Sequence, residues 1–338
     1  MTATERMDLS AIEALARDVL LAAGTNEIAA ASLARAVAAA ERDGIKSHGL
    51  VYVPIYAEHV RCGKVDGSAV PTLERTRASA MRVDARSGFA HPAIDLGFAE
   101  LIPAAREQGC AAVSLHNSYN CGVLGYHVER LAEAGLVGLG FTNAPASIAP
   151  VGGITPVIGT NPFALALPGG AQQAAFVIDQ SASVVAKSEI MMRARAGEPL
   201  PEGWALDADG APTTDPDAAL KGSMAPSGGY KGFSTGLMVE VFAAALSGAS
   251  LGKDASPFSG TAGGPPRTGQ CFIALDPAAF SGERFGERIG ALCAAIEAQE
   301  GARLPGARRQ KHRARHERDG VDVDAALLER LCGLRDQA

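Results

Sequence analysis

Ser47 and His48 stand directly in front of Gly49, just past the point where a long alanine-rich helical pattern ends in Arg42-Asp43-Gly44. A histidine on such a turn, beside a hydroxyl and a glycine, is carried on backbone that can approach a ligand closely. Its ordinary pKa near 6.5 suits it to give or take a proton at neutral pH. A histidine past a helix end is more often a structural cap, so the turn needs partners before it implies catalysis. Three other polar clusters, two of them next to a glycine, are candidates for that company. They are His116-Asn117-Ser118-Tyr119-Asn120-Cys121-Gly122, Asp179-Gln180-Ser181-Ala182-Ser183 and Gly228-Gly229-Tyr230-Lys231-Gly232. Small hydroxyls and free N–H groups at strand-to-helix turns make natural anion cradles, and Lys231 could set an ammonium on a phosphate or ribose. Taken singly, each cluster is also the composition of an ordinary turn.

Spacing excludes several other chemistries. No G-x-G-x-x-G dinucleotide fingerprint occurs; the nearest approach, Gly138 to Asn143, lies in an apolar strand-like run and lacks the third glycine. Ser227 to Lys231 has neither the spacing nor the following hydroxyl of a P-loop, and no G-x-S-x-G elbow is present. No metal site is expected either. His312 and His316 are four apart, but Arg313, Arg315 and Arg318 around them would repel a cation, and a solvated basic helix face is the better reading.

Bulk properties narrow the class further. With 47% apolar and 20% charged residues in 338, the composition is that of an ordinary globular protein. A net charge of −6 argues against nucleic acid or an anionic membrane as partner. No uncharged apolar run approaches the roughly 20 residues of a membrane span. Residues 1–8 lack the basic flank and apolar centre of a signal peptide. The six scattered cysteines read as reduced thiols of a cytoplasmic protein.

The elements that must position the clusters are legible in outline. Residues 8–24 read as a helix with Ser10 and Glu13 as a capping box, and Asn26 caps a second helix that ends at Gly44. A third, short helix covers residues 50–61. Helical patterns over 92–108 and 122–134 alternate with apolar runs at 111–115 and 136–142, which predicts an α/β core. Further strands are expected at 157–167, 175–179 and 270–276, a helix at 232–246, and a Gly/Pro/Ser-rich loop at 250–267. From Ser281 onward the pattern is charged amphipathic helix. Helices at both ends with sheet between them suggest that the termini share one helical subdomain.

Read together and in order, a set of motifs resembles the malate/L-lactate dehydrogenase superfamily, which is unrelated to the Rossmann-type lactate dehydrogenases. The matching residues are Asp43-Gly44-x-x-Ser47-His48-Gly49, Thr142-Asn143, Gly159-Thr160-Asn161-Pro162, Val177-Ile178-Asp179, Ala186-Lys187, Pro201-Glu202-Gly203-Trp204, Thr213-Thr214-Asp215-Pro216, Gly228 to Gly232, Gly269-Gln270 and Leu304-Pro305-Gly306. That family includes ureidoglycolate, 2,3-diketogulonate and sulfolactate dehydrogenases and Δ1-piperideine-2-carboxylate reductases. The resemblance implies an α/β fold with a non-Rossmann nicotinamide-binding domain on a mainly antiparallel sheet, over residues 111–279. Beside it would stand a helical, substrate-side domain made from residues 1–110 and 280–338. Strand–helix alternation alone would suggest a parallel sheet.

The resemblance also implies a homodimer with its site in the cleft, reducing a small anionic 2-oxo acid with NADPH or NADH. A cyclic imino acid is the alternative substrate, and a nucleotide-binding protein without turnover is a third reading. Lining the cofactor would be His116, Ser118, Asn143, Thr160, Asp179, Gln180, Ser181, Gly229, Tyr230, Lys231, Pro305, Gly306 and Arg308. NADP is expected over NAD, because Arg308, Arg309, Lys311 and Arg313 follow the Pro305-Gly306 turn and can meet a 2′-phosphate. His48 would donate the proton, Ser47 would position it, and Asp179 would keep it charged or in one tautomer. Two positions depart from the family pattern. Tyr52 stands where many members have an arginine that forks onto the substrate carboxylate, and Asn120 where many have a histidine. Tyr52 and Asn120 remain candidate substrate contacts, and Arg267 in the glycine-rich loop is the candidate replacement cation.

Overall fold

The computed structural model describes residues 3–170 and 174–337, and its elements are numbered in chain order. α1 (Leu9–Ala22) buries Ile12, Leu15, Ala16, Val19 and Leu20 against α2 (Glu27–Arg42), which carries a long buried alanine face. Alanine has the best helix propensity and no bulk to hold two axes apart, so the pair packs closely. Asn26 caps α2 by accepting Ala29 N–H at 2.9 Å, as its position predicts. The Ser10–Glu13 box does not form, because Asp8 holds the N-cap of α1. Two short 3₁₀ turns, Lys46–His48 and Leu50–Tyr52, lead into α3 (Val53–Arg61).

The two ends of the chain meet. β1 (Thr4–Met7) pairs antiparallel with β12 (Val321–Asp324), and α12 (Ala325–Arg335) packs on α1. One core joins Ile12, Leu33, Tyr56, Val321 and Leu331, so both termini do build one helical body.

The main sheet runs in the order β2 (Thr72–Arg77), β3 (Ala80–Asp84), β4 (Cys110–Ser118), β11 (Thr268–Leu275), β5 (Val137–Thr142), β6 (Phe163–Pro168), β7 (Ala174–Gln180). Every neighbouring pair is antiparallel except β3–β4. The mainly antiparallel sheet is therefore present, and the parallel one suggested by alternation is not. The reason lies in β11. It inserts between β4 and β5, so the unit β4–α5 (Leu124–Glu133)–β5 is a split crossover whose strands never touch.

A boundary at residue 110 does not hold. β2 and β3 belong to the sheet, and α4 (Ala90–Gln108) covers it through Ile94, Phe98 and Leu101, with Phe98 edge-on to Phe272. The sheet body thus begins near Thr72. Glu74, Arg75, Arg77 and Arg82 on these outer strands mask the alternation, as charged edges commonly do.

The remaining elements frame the far end of the sheet. A satellite core of Ile148, Ile158, Ile190, Leu200 and Met224 lies among α6 (Lys187–Ala196), α7 (Pro216–Lys221) and a small sheet of β8 (Ala205–Leu206), β9 (Pro212–Thr213) and β10 (Ser223–Met224). α8 (Tyr230–Glu240) continues as a π turn, Val241–Ala245, over Phe141 and Cys271. α9 (Pro277–Ser281) and α10 (Arg284–Glu297) bury no residue. α11 (Ala307–Asp319) then returns from the sheet body to α2. Among the described residues, no helix is long and apolar enough to cross a membrane.

Candidate active site

The turn that carries His48 is built on a buried carboxylate. Glu41 lies inside, its pKa raised by burial, and its Oε1 accepts Leu50 N–H at 2.8 Å. A Cβ on Gly49 would stand 2.1 Å from that oxygen. Glycine at 49 therefore makes room for Glu41, rather than for a ligand as the sequence suggested. Ser47, exposed, places its Oγ 2.9 Å from His48 Nδ1. Ser47 thus occupies one ring nitrogen and leaves Nε2 for a substrate. Burial pushes the His48 pKa below 6.5, the Arg309 charge pushes the same way, and Asp179 opposes.

Asp179, at the end of β7, takes two hydrogen bonds on Oδ2: Gly125 N–H at 2.9 Å and Arg309 Nη2 at 3.0 Å. It sits at the N-terminus of α5, where partial positive charge from unpaired N–H groups favours an anion. A Cβ on Gly125 would lie 2.5 Å from Arg309 Nη1 and 2.7 Å from Asp179 Oδ2, so only glycine fits beneath the pair. Asp179 makes no hydrogen bond to His48 among the described residues and acts on it through charge alone. Ser47, not Asp179, is the side chain hydrogen-bonded to the His48 ring. Arg309 was expected only as one of a basic run for a phosphate; its place beside Asp179, 130 residues away, had no local sequence signal.

The second and third clusters come together. Ser183 bridges Pro226, and Ala182 O accepts Ser227 N–H at 2.8 Å. Next to them Gly228 and Gly229, both at φ +67°, lead into α8 with Tyr230 and Lys231 exposed at its first turn. Ser181 bonds Ser183, Thr160 O accepts Ala182 N–H, and Gln180 is exposed. A cavity of about 460 Å³ opens between residues 177–180 and 303–309, and includes Pro305 and Gly306. Gly306 (φ +84°) lies against Val177, where a Cβ would come within 3.3 Å of its carbonyl oxygen. Arg303 and Arg308 are exposed at its rim.

Other candidates are placed differently. Ser118 is fully buried and bonds Tyr119 O, and Asn143 spends both ends of its amide on Ser250 O and Gly269 N–H. His116 sits 4.0 Å from Asp84, with its Nδ1 buried and unpartnered among the described residues. Arg313 grips Asp43 and Glu129, and His316 is buried against the carbonyls of Glu41 and Arg42. The basic run is thus not one solvated face, since its inward side chains tie α11 to α2. No group of three or more metal-ligating side chains occurs among the described residues.

A family model described as malate/L-lactate dehydrogenase matches residues 7–332. The chain belongs to that family. It is an oxidoreductase. Among relatives, the (2R)-3-sulfolactate dehydrogenase (NADP(+)) of Chromohalobacter salexigens is 47% identical, covering 96% of each chain. The Δ1-pyrroline-2-carboxylate reductase of Ancylobacter novellus is 42% identical, covering 97% of each. The solved Δ1-piperideine-2-carboxylate reductase of Pseudomonas syringae pathovar tomato superposes with a TM-score of 0.93 at 37% identity, covering 98% of this chain and 100% of that one.

Within the malate/L-lactate dehydrogenase family, the two departures of this chain touch each other. Asn120 Nδ2 donates to the Tyr52 hydroxyl at 3.3 Å, and Asn120 Oδ1 accepts from Tyr56 and from Gly122 N–H. These acceptor contacts fix which way the Asn120 amide faces. The Tyr52 ring lies within 2° of parallel to His48, centroids 6.1 Å apart, and burial raises its pKa, so it stays neutral. Arg267 is exposed, holds φ at +51°, and has no ion pair or side-chain hydrogen bond among the described residues.

Proposed function

We propose that this family member interconverts an anionic 2-oxo acid and the corresponding 2-hydroxy acid, of sulfolactate-like size, with NADPH preferred over NADH. The observation that carries the reading is His48, held through Nδ1 by Ser47 and flanked by the Asp179–Arg309 pair beside an open cavity. A nicotinamide cofactor, when bound, supplies or accepts the hydride. The cavity at residues 303–309, the close approach at Gly306 and the paired glycines before α8 fit such a group. Pro305, Gly306, Gln180, Ser181, Gly229, Tyr230 and Lys231 would hold it, and the exposed Arg303 and Arg308 would meet a 2′-phosphate.

His48 Nε2 gives a proton to the substrate oxygen during reduction and takes it back during oxidation. Because its pKa lies below 6.5, the neutral base prevails at pH 7. Oxidation therefore gains as pH rises through that value, and reduction gains as pH falls. A second reading, reduction of a cyclic imino acid with the proton going to nitrogen, is supported by the pyrroline and piperideine carboxylate reductases and by the neutral Tyr52–Asn120 pair.

The enzyme is read as a cytoplasmic homodimer. Its six cysteines are unpaired, and Tyr230, Leu237, Met238, Val241 and Leu246 leave an apolar stripe exposed along α8 and the following turn. Oxidation of NADPH and NADH against a panel of 2-oxo acids, including sulfopyruvate, and against Δ1-pyrroline- and Δ1-piperideine-2-carboxylate tests the activity. Absence of turnover with every compound would overturn it.

A further inference from the structure

Tyr52, beside His48, is neutral and offers the substrate's carboxylate no charge. We propose that Arg309, reaching in from α11, is the cation that binds the carboxylate of the 2-oxo or imino acid. This rests on the oxidoreductase reading and names the anchor within that same site.

A guanidinium has five N–H donors. Arg309 uses one hydrogen bond, Nη2 to Asp179, and its Nε and Nη1 have no acceptor among the described residues. Its side chain is 26% exposed, so these donors are partly withdrawn from water and open to a ligand. Arg313, one turn later, engages Nε, Nη1 and Nη2 with two carboxylates and has little left to offer. Arg303 and Arg308 stand at the exposed rim, the wrong depth for a group one bond from the reacting carbon. Arg309 instead rests in the crook made by Gly125, beside Asp179 and close enough to His48 to bear on its protonation.

Charge counting agrees. With His48 protonated for reduction, the site holds Asp179 (−), Arg309 (+), His48 (+) and the substrate carboxylate (−), which balance. Without Arg309 the remaining three groups would carry an uncompensated negative charge in a half-buried cleft. Nη2 carries two N–H groups, so while one stays on Asp179 the other can join Nη1 in a fork that suits a planar carboxylate.

Steady-state kinetics of Arg309→Gln and Arg309→Lys test this with the full-length enzyme. The KM for the acid substrate is expected to rise about 10- to 100-fold in Arg309→Gln, and by less in Arg309→Lys, which keeps charge but loses the fork. The KM for NADPH should stay within about twofold. The pH profile of oxidation should also move, its His48 inflection shifting upward in Arg309→Gln because a like charge has been removed, while the split between substrate KM and NADPH KM reads carboxylate binding itself. Unchanged substrate KM in both variants overturns the proposal, as does a rise confined to NADPH. Should Arg309→Gln fail to fold, Arg309→Lys decides: a substrate KM equal to wild type overturns it. Should wild type turn over no acid at all, the oxidoreductase reading fails separately. Oxalate quenching of bound-NADPH fluorescence then decides this one, and quenching equal in wild type and Arg309→Lys overturns it.

Discussion

Arg309 and Arg313 lie one turn apart on α11 and do opposite work. Arg313 is closed: burial disfavours its charge, but two carboxylates outweigh that and hold its pKa above the usual range. It locks α11 to Asp43 at the base of the His48 turn and to Glu129 on α5. Arg309 has one ion-pair partner and free donors facing a cleft. Residue type and helix position are the same; what differs is how many donors the fold has already used. A cation with donors to spare beside a proton-transfer group is where a ligand belongs, and a saturated one is scaffold.

The sharpest way to break that contrast is Arg313→Ala. It strands Glu129, only 12% exposed, without an ion-pair partner among the described residues, and leaves Asp43, 9% exposed, with Arg42 alone. Loss of one member of such a buried network is expected to cost about 3–5 kcal/mol of stability. Urea unfolding measures it, and a wild-type midpoint would mean that Arg313 is no clamp. Next comes His48→Ala, which should lower kcat by about 10²-fold or more while NADPH still binds with wild-type fluorescence titration. A variant keeping more than about a third of kcat would remove His48 from the chemistry and leave Arg309 without its neighbour.

The same contrast between closed and open groups holds among the histidines. His48 is only partly buried, near the Asp179–Arg309 pair, whereas His91 is sealed beside His127, its pKa pushed by burial down to about 4. A folded value below the unfolded 6.5 means that its contribution to stability is complete above pH 6.5 and drains away as pH falls toward 4. At pH 5 the loss from His91 alone is about 2 kcal/mol. Denaturant midpoints measured from pH 7 to 5 should fall accordingly, and less steeply in His91→Gln. The smallest effect is expected from Arg308→Ala at the rim: a KM for NADPH raised roughly 3- to 10-fold, with the KM for NADH little changed. Equal loss for both coenzymes would mean that Arg308 does not read the 2′-phosphate.

Local chemistry made part of this legible in the sequence. Asn26 caps α2, Gly109 ends α4 at φ +79°, and Ser47-His48 falls on the turn where a proton donor was expected. Long-range pairing was not legible. The β1–β12 strands are four residues each and polar, and β11 gives no sign of the neighbours it will separate. The basic run after Gly306 reads as one surface because its sequence is uniform. Only the tertiary fold turns His316 to the Glu41 carbonyl, Arg313 to Asp43 and Arg309 to Asp179. Arg267, by contrast, was the candidate cation of the glycine-rich loop, yet it is exposed and has no ion pair among the described residues.

The antiparallel pairing of β1 with β12 also governs when this protein can fold during synthesis. The helices on either side of His48 are synthesised well before β12, but their core is finished by Val321, Leu328 and Leu331. At a translation rate of about 5–20 residues per second, the stretch between the two strands takes roughly 15–60 s to make. Throughout that interval α1 and α2 present unfinished apolar faces to solvent. The sheet body, whose last strand is β11, can close before them, so the His48 turn docks onto a surface already formed. Nascent chains of this enzyme should accordingly depend on holding chaperones until the final helix emerges, and a truncation before Val321 should leave the sheet body folded beside a protease-sensitive N-terminus.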